Sequence, residues 1–68
     1  MKTIEEWAAL KRPDKKDRAG RLVFDAHLAA ARVLRRWPEG QSVTEDEFDL
    51  ALQDAANHAL GHHQEVIQ

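Results

Sequence analysis

The chain has 68 residues, 43% of them hydrophobic, and a formal net charge of −2. This length allows one small core and is too short for a two-domain enzyme or a nucleotide-binding α/β unit. The absence of cysteine excludes disulfides, thiolate catalysis and cysteine-based zinc sites, and it fits a reducing cytoplasm. No apolar run is long enough to span a bilayer and Met1 leads directly into a charged stretch, so we expect neither a membrane span nor a signal peptide.

The pattern of apolar residues predicts an all-α fold, a compact three-helix bundle with no sheet. Alternating β-branched runs, hairpin-turn dipeptides and internal repeats are all missing from the sequence. Helices are expected at about residues 4–12, 14–37 and 45–60, joined by short links as in other bundles. One small domain would cover residues 1–68, and residues 62–68 are expected either to fray or to add a turn or two.

The first helix is predicted to begin after Thr3. Thr3 and Glu6 have the spacing of a capping box, in which each side chain accepts a hydrogen bond from the other residue's backbone N–H. Since a residue before proline avoids helical geometry, Pro13 places the end of this helix near Lys11 or Arg12.

The second helix is predicted to begin at Pro13 or Asp14 and to be apolar on most of its circumference, as a central helix would be. A stripe with spacings of 4, 3, 4, 3 and 4 is predicted to face the core. Its members are Ala19, Val23, Ala26, Ala30, Val33 and Trp37. The stripe is widened on one side by Phe24, Leu28 and Ala31, and on the other by Leu22 and Ala29. Gly20 marks a kink, a later start of the helix or a close helix contact.

The third helix has the clearest predicted start. Thr44 and Glu47 give a second capping box, and Val43 and Phe48 are placed for a hydrophobic staple. Gly61 is a natural C-terminal stop. The predicted buried stripe is Phe48, Ala51, Leu52, Ala55, Ala56 and Ala59.

Charge is distributed unevenly along the chain. Residues 1–36 hold all ten Lys and Arg with five acids, a net +5, whereas residues 37–68 hold seven acids and no Lys or Arg, a net −7. Such a split is typical of a face that meets a charged partner. Leu50 projects from the polar side of the third helix beside the acids, and Arg35, Arg36 and Trp37 are residue types enriched in binding hot spots. The predicted partner-binding residues are Glu45, Asp46, Glu47, Asp49, Leu50, Arg32, Arg35 and Arg36.

Each charge cluster also has a purely structural interpretation. The acids at the start of the third helix complement its dipole. The basic residues between positions 11 and 21 form another cluster, which is either a solvated helix face or a phosphate-binding surface for nucleic acid. It consists of Lys11, Arg12, Lys15, Lys16, Arg18 and Arg21. The two tryptophans, Trp7 and Trp37, are expected in the core, with Trp37 only partly covered.

The four histidines are the remaining candidates for acid–base chemistry and metal binding. Asp54, His58 and His62 are spaced i, i+4, i+8, so they would line one edge of the third helix if it continued past Gly61. That arrangement is a weak metal candidate, and we predict no metal site, no cofactor and no catalytic residue. Both threonines are assigned as helix caps, so no nucleophile–base arrangement follows.

These observations predict a non-enzymatic α-helical module that binds or inhibits a larger protein or protein complex through a charged face. The chain is rich in Ala and Arg, free of cysteine and expected to be helical, and in these general features it resembles small accessory proteins of phages and mobile elements. The alternatives are a nucleic-acid-binding accessory protein that uses the basic cluster, and a self-associating structural protein in which the basic half of one copy meets the acidic half of the next. No membrane partner is expected.

Overall fold

The computed structural model describes the backbone of residues 1–67 and the side chains of residues 1–59. Its elements, in chain order, are β1 (Lys2–Thr3), α1 (Ile4–Lys11), α2 (Arg18–Arg35), β2 (Ser42–Val43) and α3 (Glu45–Ile67). The predicted three-helix, mainly α architecture is confirmed.

A small antiparallel sheet was missed by the sequence analysis. Strand β1 pairs with β2, with Lys2 opposite Val43 and Thr3 opposite Ser42, and the Ile4 N–H donates to the Gln41 carbonyl at 2.8 Å. Strands of two residues are too short to show the alternation from which strands are predicted. The sheet joins the segments just before α1 and α3, so both helices start from one place.

Helix α1 begins and ends as predicted. The Glu6 N–H donates to Thr3 Oγ1 at 3.2 Å and the Thr3 N–H donates to Glu6 Oε1 at 2.9 Å, which completes the capping box. The last helical residue is Lys11, and Arg12 is extended, as expected for a residue before proline.

Helix α2 begins four residues later than predicted, at Arg18 instead of residue 14. Asp14 closes a turn, since its side chain accepts from the Lys16 N–H at 3.2 Å and its carbonyl accepts from the Asp17 N–H at 2.9 Å. Asp17 is the N-cap and accepts from the Gly20 N–H at 2.9 Å. A Cβ on Gly20 would overlap the Asp17 carboxylate, so glycine makes room for this cap.

The C-terminus of α2 also differs slightly from the prediction, with Arg35 as the last helical residue instead of residue 37. Arg36 adopts the left-handed conformation with φ 54°, and the Trp37 N–H donates to the Arg32 carbonyl at 3.0 Å. This turn is the common way to satisfy the last carbonyls of a helix. It also directs Trp37 back toward the core.

Helix α3 starts where the sequence places it. The Glu47 N–H donates to Thr44 Oγ1 at 3.1 Å, as the predicted capping box requires. The Glu47 side chain accepts from the Thr44 hydroxyl at 3.2 Å and not from the Thr44 backbone N–H, so only half of the predicted box is formed. Val43 and Phe48 are both buried, as the staple requires. The helix continues to Ile67, so the predicted end at residue 60 and the predicted stop at Gly61 are wrong. Of the two alternatives expected for residues 62–68, the added turns are the one that the structure has, since residues 62–67 are helical.

The core is centred on Phe48, which is fully buried together with Ile4 and Val43. Trp7 and Trp37 flank it with ring centroids 6.3 and 6.5 Å from that of Phe48. Both tryptophans are half-buried, and the Trp7 indole N–H donates to the Val43 carbonyl at 2.9 Å. Farther along, α2 and α3 approach each other through buried alanines. These are Ala31, Ala51 and Ala55.

The predicted core stripe of α2 is wrong for most of its members. Among them only Ala30 and Trp37 are half-buried, while the other four are exposed. Helix α2 instead contributes Phe24, Leu28 and Ala31 to the core, the residues expected only to widen the stripe. On α3 the predicted stripe is confirmed apart from Ala59, which is exposed.

Candidate interaction surfaces

Two of the acidic residues at the start of α3 form ion pairs with a lysine of the same chain. Lys11 Nζ, at the end of α1, lies 2.8 Å from Glu45 Oε2 and 2.8 Å from Asp49 Oδ1. The hydrogen bonds that Lys11 donates to Asp49 and to Glu45 raise the pKa of Lys11 above its ordinary value. These two acids therefore bridge α3 to α1.

The other predicted members on α3 have different surroundings. Glu47 takes part in the cap at Thr44, whereas Asp46 is exposed. Leu50 is 58% exposed, which agrees with its predicted position on the polar side of the helix. Asp46 is thus the acid of this group that has neither an ion pair nor a cap hydrogen bond among the described side chains, and Leu50 lies one turn farther along the same helix.

Two of the three predicted arginines bind acids of neighbouring helices. Arg32 Nη2 donates to Glu5 Oε2 on α1 at 2.9 Å, and Arg35 pairs with Asp54 on α3. The hydrogen bond from Arg32 lowers the pKa of the Glu5 carboxyl below its ordinary value. Arg36 is exposed at the end of α2.

The basic cluster is divided by the structure. Lys11 is held by α3, Arg12 Nε lies 3.0 Å from Asp25 Oδ1, and Arg21 Nε donates to the Pro13 carbonyl at 2.9 Å. Lys15 and Lys16 are exposed in the turn before α2, followed by exposed Arg18 at its first residue. Half of the cluster therefore orients α1 against its neighbours, and half faces solvent.

The weak metal candidate is not assembled by the described residues. Asp54 binds Arg35, His58 is exposed, and the His62 side chain lies outside the described residues. Among the side chains up to residue 59, no three His, Asp or Glu are grouped so that they could hold an ion. The same part of the chain contains no pocket.

The most unusual surface is a long apolar face of α2 that points away from the core. Leu22 and Val33 are 73% and 77% exposed, and Val23 and Leu34 are 53% and 47% exposed. Alanines fill the space between them, and the face extends over a helix of 18 residues, about 27 Å long. We call this surface the outer face of α2. It consists of Ala19, Leu22, Val23, Ala26, Ala29, Val33 and Leu34, which are exposed, and is bordered by Ala30, which is half-buried against the alanine cluster.

The charged side chains of α2 all lie outside this face. At 100° per residue they occupy one sector, beside the residues that are buried. Three of them form ion pairs: Asp25 with the residue just after α1, and Arg32 and Arg35 with acids on α1 and α3. The helix therefore has its charges next to the core and its uncharged side toward solvent, the reverse of an ordinary surface helix.

The residues of the outer face form an apolar stripe in the sequence, and several of them were predicted to lie in the core. Both faces of α2 have helical periodicity, so spacing alone does not distinguish them. Only the structure distinguishes the two faces: Arg32 and Arg35 pair with acids on α1 and α3, so their side of α2 faces those helices. A three-helix chain also has too few elements to cover a helix that is apolar nearly all round.

Comparison of the chain with models of protein families, with curated proteins and with solved structures found no match. In the part of the chain that the structure describes, none of the helices combines the length and the apolar character that crossing a bilayer requires.

Proposed function

We propose that the protein is a non-enzymatic interaction module that associates with another polypeptide through the outer face of α2, and in this way binds or inhibits a larger protein assembly. The observation that supports this most is a continuous, uncharged helix face with Leu22 and Val33 about three-quarters exposed. Exposed apolar areas of this kind on small proteins mark interaction surfaces. Spacings of three, four and seven residues are those by which a helix docks onto a partner.

Energetics favour the same surface. Full burial of one Val or Leu side chain contributes about 1.5–3 kcal/mol. The four large side chains of the outer face gain only part of this free energy within the monomer, because they are 47–77% exposed. They are Leu22, Val23, Val33 and Leu34. Burial of their exposed parts against a partner would contribute the remaining hydrophobic free energy, and the cost of association is subtracted from it.

The charged residues support the proposal less directly. Glu45, Asp49, Arg32 and Arg35 already bind partners in the same chain, so a new ion pair would compete with an existing one. Their role in partner binding stays a prediction, as does that of the basic cluster in binding nucleic acid. Location in the cytoplasm is part of the same proposal and rests on the cysteine-free sequence.

Tagged protein captured from host lysate tests the proposal. We expect the double variant Leu22→Glu, Val33→Glu to lose the captured protein, because burying two carboxylates at the contact is strongly unfavourable. The matched control is Leu10→Glu, since Leu10 is 65% exposed on α1. The control should capture as the unmodified chain does, and circular dichroism should show equal helicity for all three.

Two further arms identify which surface is used. The double variant Asp46→Lys, Leu50→Glu alters the exposed part of the acidic group without touching the Lys11 bridge. If it loses the captured protein while the α2 variant retains it, the α2 proposal is wrong and the acidic group is the binding surface. Capture that disappears after nuclease treatment would instead support the basic cluster.

A further inference from the structure

We propose that the polypeptide bound by the outer face of α2 is a second copy of the same chain, with the two α2 helices antiparallel about a two-fold axis at Ala26. This inference rests on the proposed function and names its partner. Three properties of the face support it: its pattern of large and small side chains, its area and its lack of charge.

The side-chain pattern is complementary to itself in the antiparallel direction. One line along the face has the 3, 4, 3, 4 spacing of a two-helix seam. It consists of Ala19, Leu22, Ala26, Ala29 and Val33. When two copies are aligned antiparallel at Ala26, Val33 lies opposite Ala19 of the second copy and Leu22 lies opposite its Ala30. Val23 lies opposite Ala29, so three of the four large side chains meet an alanine, which permits close approach, while Leu34 lies opposite Arg18 at the end of the contact.

A parallel alignment lacks this complementarity. It would place Leu22 against Leu22 and Val33 against Val33, with Ala26 against Ala26 between them, so bulky layers would alternate with empty ones. The antiparallel alignment also sets the positive N-terminus of each helix beside the negative C-terminus of the other. The sequence of the face therefore favours one direction of pairing.

The exposed area allows a specific but small dimer. With Leu22, Val23, Val33 and Leu34 at 47–77% exposure and the alanines included, the face presents roughly 600 Å², so a two-fold pair would bury at most about 1,200 Å² in total, the lower end of specific interfaces. Interfaces of about 1,600 Å² have dissociation constants from micromolar to picomolar, so for this smaller contact we expect a value near the micromolar end. The oligomeric state should therefore change over an experimentally accessible range of concentration.

Charge distinguishes this contact from the head-to-tail association of basic and acidic halves. The outer face carries no ionisable residue, so added salt does not weaken the pairing. Association of the +5 half with the −7 half would weaken as salt rises. A bilayer surface is a poorer occupant, since helices that lie on membranes bury Trp, Phe or Leu, and this face has no aromatic residue and only two leucines.

The cysteine-free chain allows a direct test with single cysteines. Helix axes about 8–10 Å apart bring facing Cα atoms to roughly 3.5–5.5 Å, which overlaps the separations of about 4.4–6.8 Å that a disulfide bridges. Ala26→Cys, on the two-fold axis, should therefore cross-link to a dimer in a redox buffer. At about 10 µM chain it should do so on the order of a hundredfold faster than Ala9→Cys, because thiols within a dimer have millimolar effective concentration. Ala9 is exposed on α1 and is the matched control.

Direction is tested with Val23→Cys and Ala29→Cys, which face each other only in the antiparallel pair. Mixed, the two should give a heterodimeric cross-link in preference to either homodimer. Preferential homodimers of each would show parallel pairing and overturn the proposed arrangement.

Light scattering against concentration, at low and high salt, completes the test. We expect the molar mass of the unmodified chain to rise from 7.8 kDa toward twice that value at either salt concentration. Leu22→Glu with Val33→Glu should remain monomeric, whereas Leu10→Glu should dimerise. A monomeric unmodified chain at several hundred micromolar, without the Ala26→Cys cross-link, would overturn the second copy as partner.

The outcomes for the two proposals are separable. A monomeric chain whose capture of another protein is lost in the α2 double variant rejects the second copy and supports the proposed function with a different partner. A monomeric chain whose capture is unaffected by that variant rejects both. Dimerisation that weakens with salt, or binding to phosphatidylcholine–phosphatidylserine vesicles by a monomer, would also overturn the two-fold pairing.

Discussion

At the scale of single residues, the start of α2 depends on which of two aspartates caps it. Asp14 and Asp17 have the same chemistry and are three residues apart, so a local capping rule does not choose between them. The choice follows from Gly20, the residue whose missing Cβ leaves room for the Asp17 carboxylate. Gly20, suspected from the sequence to mark a later start, in fact does so.

Replacement of these aspartates tests the assignment. We expect Asp17→Ala to lower the free energy of unfolding by about 1 kcal/mol, since it removes an N-cap hydrogen bond. Asp14→Ala is the matched control and should have the smaller effect. Urea unfolding followed by circular dichroism measures both. A larger loss with Asp14→Ala would mean that the helix begins there, as the sequence first indicated.

At the scale of helices and strands, features that depend on residues a few positions apart were predicted correctly, and contacts between residues far apart in the sequence were not. The caps at Thr3 and Thr44 join residues three positions apart, and both were correctly identified. The bridge from Lys11 to Glu45 and Asp49 joins residues more than thirty positions apart, which no spacing rule detects. The prediction of which face of α2 meets the core was wrong for the same reason, because that face depends on the positions of the acids on α1 and α3. The three helices were thus predictable, but the face that forms the candidate site was not.

The Glu5–Arg32 pair between α1 and α2 makes folding stability depend on pH. The pKa of Glu5 is lowered in the folded protein, so its stabilising contribution is present above the unfolded-state pKa of about 4.5. The contribution is lost as the pH falls through the lower folded-state pKa.

We therefore expect Glu5→Gln to lose less stability than the unmodified chain between pH 7 and pH 3. Denaturant midpoints across this range measure the difference. Lys16→Gln, a change at an exposed residue of the turn before α2, is the control and should leave the slope unchanged. Equal pH dependence in Glu5→Gln and the unmodified chain would contradict a Glu5–Arg32 interaction in solution.

At the scale of the whole molecule, stability depends on very few side chains. Phe48 contacts both tryptophans and packs with residues of α1, α2 and β2. We expect Phe48→Ala to cost about 3–5 kcal/mol, which is as much as a chain of this size has in total. The variant should be largely unfolded at 25 °C, as tryptophan fluorescence and circular dichroism would show. Leu50→Ala, at an exposed position on the same helix, should remain folded.

The location of α3 gives the proposed dimer a functional consequence. Because α3 packs against the inner side of α2, pairing through the outer face leaves the start of α3 uncovered in each copy. Two copies of Asp46 and Leu50 would then be presented by one particle. A larger assembly with repeated sites would bind such a particle more tightly than a single chain, without any additional contact in either copy.

The pairing of β1 with β2 has a consequence for the order of folding. It joins residues about 40 positions apart, and closing a loop of that length costs conformational entropy before any contact is gained. Helices α2 and α3 are neighbours along the chain and meet at a lower entropic cost. We therefore expect the α2–α3 hairpin to form first and α1 to dock last. A chain still emerging from the ribosome would thus hold its N-terminal helix undocked until β2 has been made.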